Sequence, residues 1–164
     1  MLYKIKIFLK RYFWNIVFFN KIFGVAKKKN AAYLLQINFF ENSNKQLNIF
    51  TNSGEDGILL NIINKVECIN KTFVDIGSND CINSNCANLA FHHQWKGVFI
   101  EGDQKTLERG NYIYTKYFKE NIKLFSFVNA IVEPDNINTI IRSAINNEEV
   151  DLLSIDLDGN DYHI

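Results

Sequence analysis

Three short segments of this 164-residue chain set carboxylates beside glycine: Asp75-Ile76-Gly77, Glu101-Gly102 and Asp156-Leu157-Asp158-Gly159. A carboxylate in such a place can accept two hydrogen bonds from a pair of ribose hydroxyls. It can also take a proton from an attacking hydroxyl or help hold a divalent ion. A glycine beside it lets backbone approach a ligand closely and turn sharply. Asp156, Asp158 and Asn160 open like a calcium loop, but the sixth position is Asp161 where that loop needs glycine, and its twelfth lies past Ile164. That leaves Asp156 and Asp158 as candidates to position or deprotonate an acceptor, or to hold a divalent ion. His163 reads as a loop histidine, with a proton acceptor as the alternative.

The other chemistry-bearing residues form no site by themselves. Cys68, Cys81 and Cys86 are odd in number and irregular in spacing, which is no disulfide framework and fits a reducing compartment. Cys81 and Cys86 read as small packing residues. His92, His93 and His163 make no zinc pattern, and no metal ligand set is assigned. His92-His93 at a helix end complement its dipole.

The acids matter because of the elements that carry them. Leu59, Ile62, Ile63 and Val66 repeat at helical spacing behind Ser53 and Asp56, a capping-box pair. A buried strand over 71–76 then runs into Gly77. A helix is expected over about 84–93, a second strand at 98–100 and a helix over about 105–118, where Gly110 is a blemish. A third strand follows near 124–128. Ile137, Ile140, Ile141, Ala144 and Ile145 form another helical stripe, and Leu152–Ile155 is the fourth strand. Alternating strands and helices predict an α/β fold, a mostly parallel sheet with helices on both faces. In such sheets the ligand lies beyond the carboxyl ends of the strands, where all three acidic segments fall.

The net charge is zero, 18 basic residues against 18 acidic, and the balance is uneven. Residues 1–30 hold eight Lys or Arg and no acid; ten basic and all 18 acidic residues fall in 31–164, giving +8 and −8. Two units are expected, a basic, aromatic-rich helical arm over 1–48 and an α/β body over 49–164. The longest uncharged run of the arm is Tyr12–Asn20, too short for a spanning helix of ~20 apolar residues. No small-x-small cleavage site follows, so a signal peptide is not favoured. Two readings stay open, an interfacial helix facing anionic lipid and a helix packed on the body or on a partner. An acidic body would repel nucleic acid, which is not an expected partner. The expected place is the cytoplasm, with contact to the inner face of a membrane through residues 1–29.

A dinucleotide fold wants Gly-x-Gly-x-x-Gly, so that pyrophosphate can nestle on bare backbone. Here Gly77 is followed by Asn79 and Cys81, whose side chains crowd a pyrophosphate. They harm less a ligand without phosphates, such as S-adenosylmethionine. Glu101, 26 residues after Asp75, suits a ribose in either cofactor.

Four segments then carry a resemblance: Ser53-Gly54-Glu55-Asp56-Gly57-Ile58-Leu59, Phe73-Val74-Asp75-Ile76-Gly77-Ser78-Asn79-Asp80, Trp95-Lys96-Gly97-Val98-Phe99-Ile100-Glu101-Gly102-Asp103 and residues 151–162, Asp-Leu-Leu-Ser-Ile-Asp-Leu-Asp-Gly-Asn-Asp-Tyr. In this order, over roughly residues 50–164, they resemble the FkbM-like class of S-adenosylmethionine-dependent methyltransferases. The resemblance implies a Rossmann-like class I methyltransferase sheet and O-methylation of a sugar or natural-product hydroxyl, with a small molecule or glycan as acceptor. It implies that Asp75 and Gly77, with Ser78 and Asn79, border the methionine part of the cofactor. Glu101 would bind the ribose, Asn129 and Ala130 would lie near the adenine, and Glu55 and Asp56 would approach from the preceding helix start. Asp156 would sit beside the transferred methyl group, with Asp158 as its catalytic neighbour. The family commonly has glycine where Asn79 and Cys81 stand. Four of its seven strands are visible, so the chain is expected to be the cofactor-binding part of such a domain, with the later strands missing. Strand four would then be an open edge, available to pair with a second copy. The alternative function is a non-catalytic remnant that binds a partner chain or a membrane surface.

Overall fold

The computed structural model describes residues 21, 24–34, 36, 47–146, 148–157, 159 and 161–164. Four strands, β1 (Thr72–Ile76), β2 (Lys96–Glu101), β3 (Phe125–Asn129) and β4 (Leu152–Ile155), form one sheet in the order β3-β2-β1-β4. All three pairings are parallel, with Asp75 opposite Phe99 and Ser154, and Glu101 opposite Asn129. Helices α1 (Glu55–Ile63), α2 (Ala87–His92), α3 (Gln104–Phe118) and α4 (Ile137–Ile145) lie between or before the strands. This is a Rossmann-like α/β fold.

Strand alternation divides the core between the two faces of the sheet. Phe73 and Phe99 point to one face and pack with Leu60 of α1, Leu89 and Phe91 of α2, and Ile113 and Tyr114 of α3. Val74, Ile76, Val98 and Ile100 point to the other and meet Ile137, Ile140, Ile141, Ala144 and Ile145, the stripe of α4 foreseen in the sequence. The first face is aromatic: Tyr114 lies edge-on to Phe91, Phe99 and Phe125 at ring separations of 5.1, 5.1 and 5.0 Å. Such pairs contribute about 1 kcal/mol each beyond the area they bury. Gly97 sits under this layer; a Cβ there would lie 2.5 Å from the Phe73 carbonyl oxygen.

Two local expectations are corrected. Ser53 does not cap α1. The cap is Gly54, at φ 92°, which has no side chain to bond the first turn; its own N–H donates to Asn48 Oδ1. The Asp56 carboxylate instead turns back on the chain and accepts from the N–H groups of Ile49, Phe50 and Thr51 at 2.7, 2.8 and 3.2 Å. Gly110 is not a blemish either. A Cβ there would come within 2.6 Å of Cys81 Sγ and 2.7 Å of the Asp80 carbonyl oxygen. Glycine lets α3 press against the loop after β1.

Part of the arm can be placed on the body. Residues 24–34 are helical, and Ala26, Lys29, Asn30 and Tyr33 recur on one face that meets the body. The Lys29 ammonium donates to the carbonyls of Ile49 and Phe50 at 2.7 and 3.1 Å, opposite the side that Asp56 holds. Tyr117 donates its hydroxyl to Asn30 Oδ1 at 3.0 Å. Tyr33 stacks on His92 with centroids 3.7 Å apart, and its hydroxyl is 2.9 Å from His93 Nε2. For this segment the packed-helix reading holds; residues 1–20 lie outside the described residues. No helix among the described residues is long and apolar enough to cross a membrane.

His92 therefore does more than answer a helix dipole. Its Nε2 is buried and, among the described residues, has no hydrogen-bond partner. Burial, helped by neighbouring His93, lowers its pKa to about 4. The unfolded chain takes up this proton near pH 6.5, the folded chain only near pH 4. Stability is thus fully present above pH 6.5 and is lost as pH falls toward 4. Allowing for partial exposure, the loss between pH 7 and pH 5 is about 1 kcal/mol. Urea melts at the two pH values read it, and His92→Phe, which keeps the stacked ring, flattens the difference.

Candidate functional site

The strand order places β2 and β3 on one side of β1 and β4 on the other. The strand order thus reverses at β1, and a crevice opens beyond the carboxyl ends of the strands. It is a cleft of two lobes that share Gly77, Glu101 and Leu157. One lobe, about 360 Å³, is walled largely by Ile76, Ile100, Ala130, Ile131, Val132 and Pro134. The other, about 420 Å³, is walled by Asn79, Asn83, Thr106 and Asp156. Each has a volume that suits a small-molecule ligand.

Glu101 stands where the lobes meet. Its Oε2 accepts from the Asn79 N–H and its Oε1 from the Asp103 N–H, both at 2.9 Å. Each carboxylate oxygen has two acceptor positions, so one on each remains for a ligand. The backbone bonds fix the side chain before anything binds. Asp103 in turn caps α3, accepting from the Thr106 N–H at 2.7 Å.

Gly77 forms the floor between Glu101 and Asp156. Its φ is 75°, and a Cβ would lie 1.8 Å from the Asp156 carbonyl oxygen. The N–H groups of Gly77 and Ser78 both donate to the Ile100 carbonyl, at 2.9 and 3.1 Å, and that of Asp156 donates to Ile76 at 2.9 Å. The ends of β1, β2 and β4 are thereby drawn together, with Asp156 on the rim of the polar lobe.

The loop from Gly77 to Cys86 explains how the chain dispenses with further glycines. Asn79 and Cys81 both adopt left-handed backbone, at φ 51° and 58°. Asparagine tolerates this conformation and cysteine less so; a non-glycine residue held there costs about 1–2 kcal/mol. Several bonds offset the strain. Glu101 holds Asn79, and Tyr114 donates its buried hydroxyl to the Cys81 carbonyl at 3.0 Å. Asp80 Oδ1 accepts from the N–H groups of Ile82 and Asn83 at 3.1 and 2.8 Å. Burial pushes the Cys81 and Cys86 thiols well up, away from the reactive thiolate. They pack, as expected.

Asp75 lies beneath this loop, outside the cleft. Its carboxylate, 1% exposed, accepts from the Ser84 hydroxyl at 2.6 Å and the Cys86 N–H at 3.3 Å. Ser154 on β4 also bonds to it, and burial raises its pKa against these bonds. Ser154 is tied to the loop a second way, through Asn85 Nδ2 at 3.2 Å. Asp75 thus supports the wall rather than facing the ligand.

The remaining expected residues divide. Gly77, Asn79, Glu101, Ala130 and Asp156 line the cleft. Ser78 is buried, with its hydroxyl on the Ile100 carbonyl at 3.3 Å. Asn129 uses its amide to tie the carbonyls of Glu101 and Gly102, at 2.8 and 2.9 Å, and lines neither lobe. Glu55 and Asp56 line neither lobe; Glu55 accepts from the Ser53 N–H at 2.9 Å. Asp158 lies outside the described residues. Asn83, Thr106, Ile131 and Leu157 were not foreseen, since no motif marks them and only the folded loops bring them in. Among the described residues no group of three or more His, Cys, Asp or Glu could hold a metal ion.

No family model, curated protein or solved structure matches this chain.

Proposed function

We propose that the cleft binds S-adenosylmethionine, and that the protein is an FkbM-like O-methyltransferase acting on a sugar or natural-product hydroxyl. The observation that carries this reading is the preset Glu101 carboxylate at the junction of an apolar and a polar lobe. A ribose hydroxyl pair fits its two remaining acceptor positions. A flat purine fits between Ile100, Ala130 and Ile131. Among the described residues, the charged side chains lining the polar lobe are the acids Glu101 and Asp156, with no lysine or arginine. That suits a phosphate-free cation and repels a pyrophosphate. Nor does a helix N-terminus follow Gly77 directly: α2 begins at Ala87, beyond the strained loop. This disfavours a nicotinamide dinucleotide.

Bound here, the cofactor supplies an activated methyl group, which the acceptor oxygen takes as the carbon–sulfur bond breaks. The protein's part is to orient and to move a proton. Glu101 fixes the ribose, Gly77 admits the chain of the cofactor close to backbone, and Asp156 is placed to accept the proton of the attacking hydroxyl.

Isothermal titration with S-adenosylmethionine and S-adenosylhomocysteine tests this. Binding is expected with both, and Glu101→Gln weakens it about tenfold or more, the worth of a hydrogen bond to a charged acceptor. Absence of heat with folded protein at millimolar ligand, or equal binding by the variant, rules the reading out.

A further inference from the structure

The arm is the feature that the cleft does not explain. Docking of residues 24–34 settles which face of that helix looks outward. Ala26, Lys29, Asn30 and Tyr33 face the body, so at 100° per residue Lys28 falls on the opposite face, flanked by Val25, Lys27 and Leu34, and Lys21 precedes them in the chain. All five are exposed, Val25 at 43% and Leu34 at 61%. An outward face of lysines edged by aliphatic side chains suits a headgroup layer, because the ammonium groups meet phosphates while the apolar flanks enter the acyl boundary.

The sequence extends the same character toward the N-terminus. Residues 1–30 carry +8 with no acid, and Tyr12, Phe13, Trp14, Phe18 and Phe19 crowd the run before this helix. Aromatic side chains of this kind favour the membrane interface. The body carries −8, so an anionic surface attracts the arm and repels the body. A nucleic acid long enough to reach past the arm meets the acidic body instead.

We infer that the outward face of this helix, with the basic chain before it, docks the protein on an anionic phospholipid bilayer. The inference is independent of what occupies the cleft. Co-sedimentation of the full chain with phosphatidylcholine vesicles, with and without phosphatidylglycerol, tests it. Binding is expected only to the anionic vesicles and falls steeply with added salt. Lys21→Glu with Lys28→Glu lowers it by about tenfold or more, since each lysine near such a surface contributes measurably. Leu34→Ser lowers it further, and because these positions are exposed the melting temperature stays unchanged. Equal binding to neutral vesicles, unaltered binding by the charge-reversed chain, or tighter binding to duplex DNA than to anionic vesicles would overturn the inference.

Discussion

Gly77→Ala destabilises the protein by about 3 kcal/mol or more, the range of substitutions that force backbone out of a strained conformation. Two effects combine. Alanine resists a φ of 75°, and its Cβ would sit 1.8 Å from the carbonyl oxygen of Asp156. The clash partner is backbone, so no rotamer change relieves it. Either β4 moves away from β1 or the turn rearranges. The Asp156 N–H bond to Ile76 and the paired bonds to Ile100 are then strained together. A melting curve shows the change as a drop of about 10 °C for a domain this size. An alanine variant as stable as the parent would mean that β1 and β4 do not close over Gly77.

Asp75→Ala ranks next, at about 3 kcal/mol. The carboxylate has donors from the loop and from β4, and its removal leaves the Ser84 hydroxyl and the Cys86 N–H buried without an acceptor. Asp75→Asn keeps one acceptor oxygen and costs less. The pH dependence has its own sign. Burial raises the pKa of Asp75, so the folded protein holds this proton to higher pH than the unfolded chain. This group's contribution is fully present below its ordinary pKa and declines as pH rises through the raised value. The sign is opposite to that of His92, whose contribution declines as pH falls. The parent and the asparagine variant, melted over a pH series, separate the two. If Asp75 faced the ligand instead, the alanine variant would lose binding while keeping its melting temperature.

Much of the architecture was legible in the residues. The stripe Ile137, Ile140, Ile141, Ala144 and Ile145 became α4 over the expected span, and Leu152–Ile155 became β4 unchanged. Both follow from short-range periodicity, which a chain carries in its composition and order. The acidic strand ends were legible for the same reason, and Gly77, Glu101 and Asp156 do meet at one cleft.

Side-chain direction was not legible. Asp56 and Asp75 sit in segments that resemble a cofactor site, yet both carboxylates bind backbone inside the fold. Nothing local distinguishes such an acid from Glu101, which also accepts backbone N–H groups but does so at the rim. His92 and His93 looked like ordinary helix-end residues until Tyr33, about 60 positions away in sequence, came to lie on them. Asn79 and Cys81 looked like obstacles in a glycine turn. Their left-handed conformations are held by Glu101 and Tyr114, partners that no spacing rule connects to them.

The order of residues alone determined the four strands and the four α-helices of the body, the parallel sheet, the edge at which the acids gather and the division of charge between arm and body. These rest on periodicity and on counting. Tertiary structure decided which acids face solvent, which are buried as supports, and how a loop poor in glycine keeps its path. Those outcomes depend on the balance between desolvating a carboxylate and supplying it with donors, and the donors arrive only when distant segments pack.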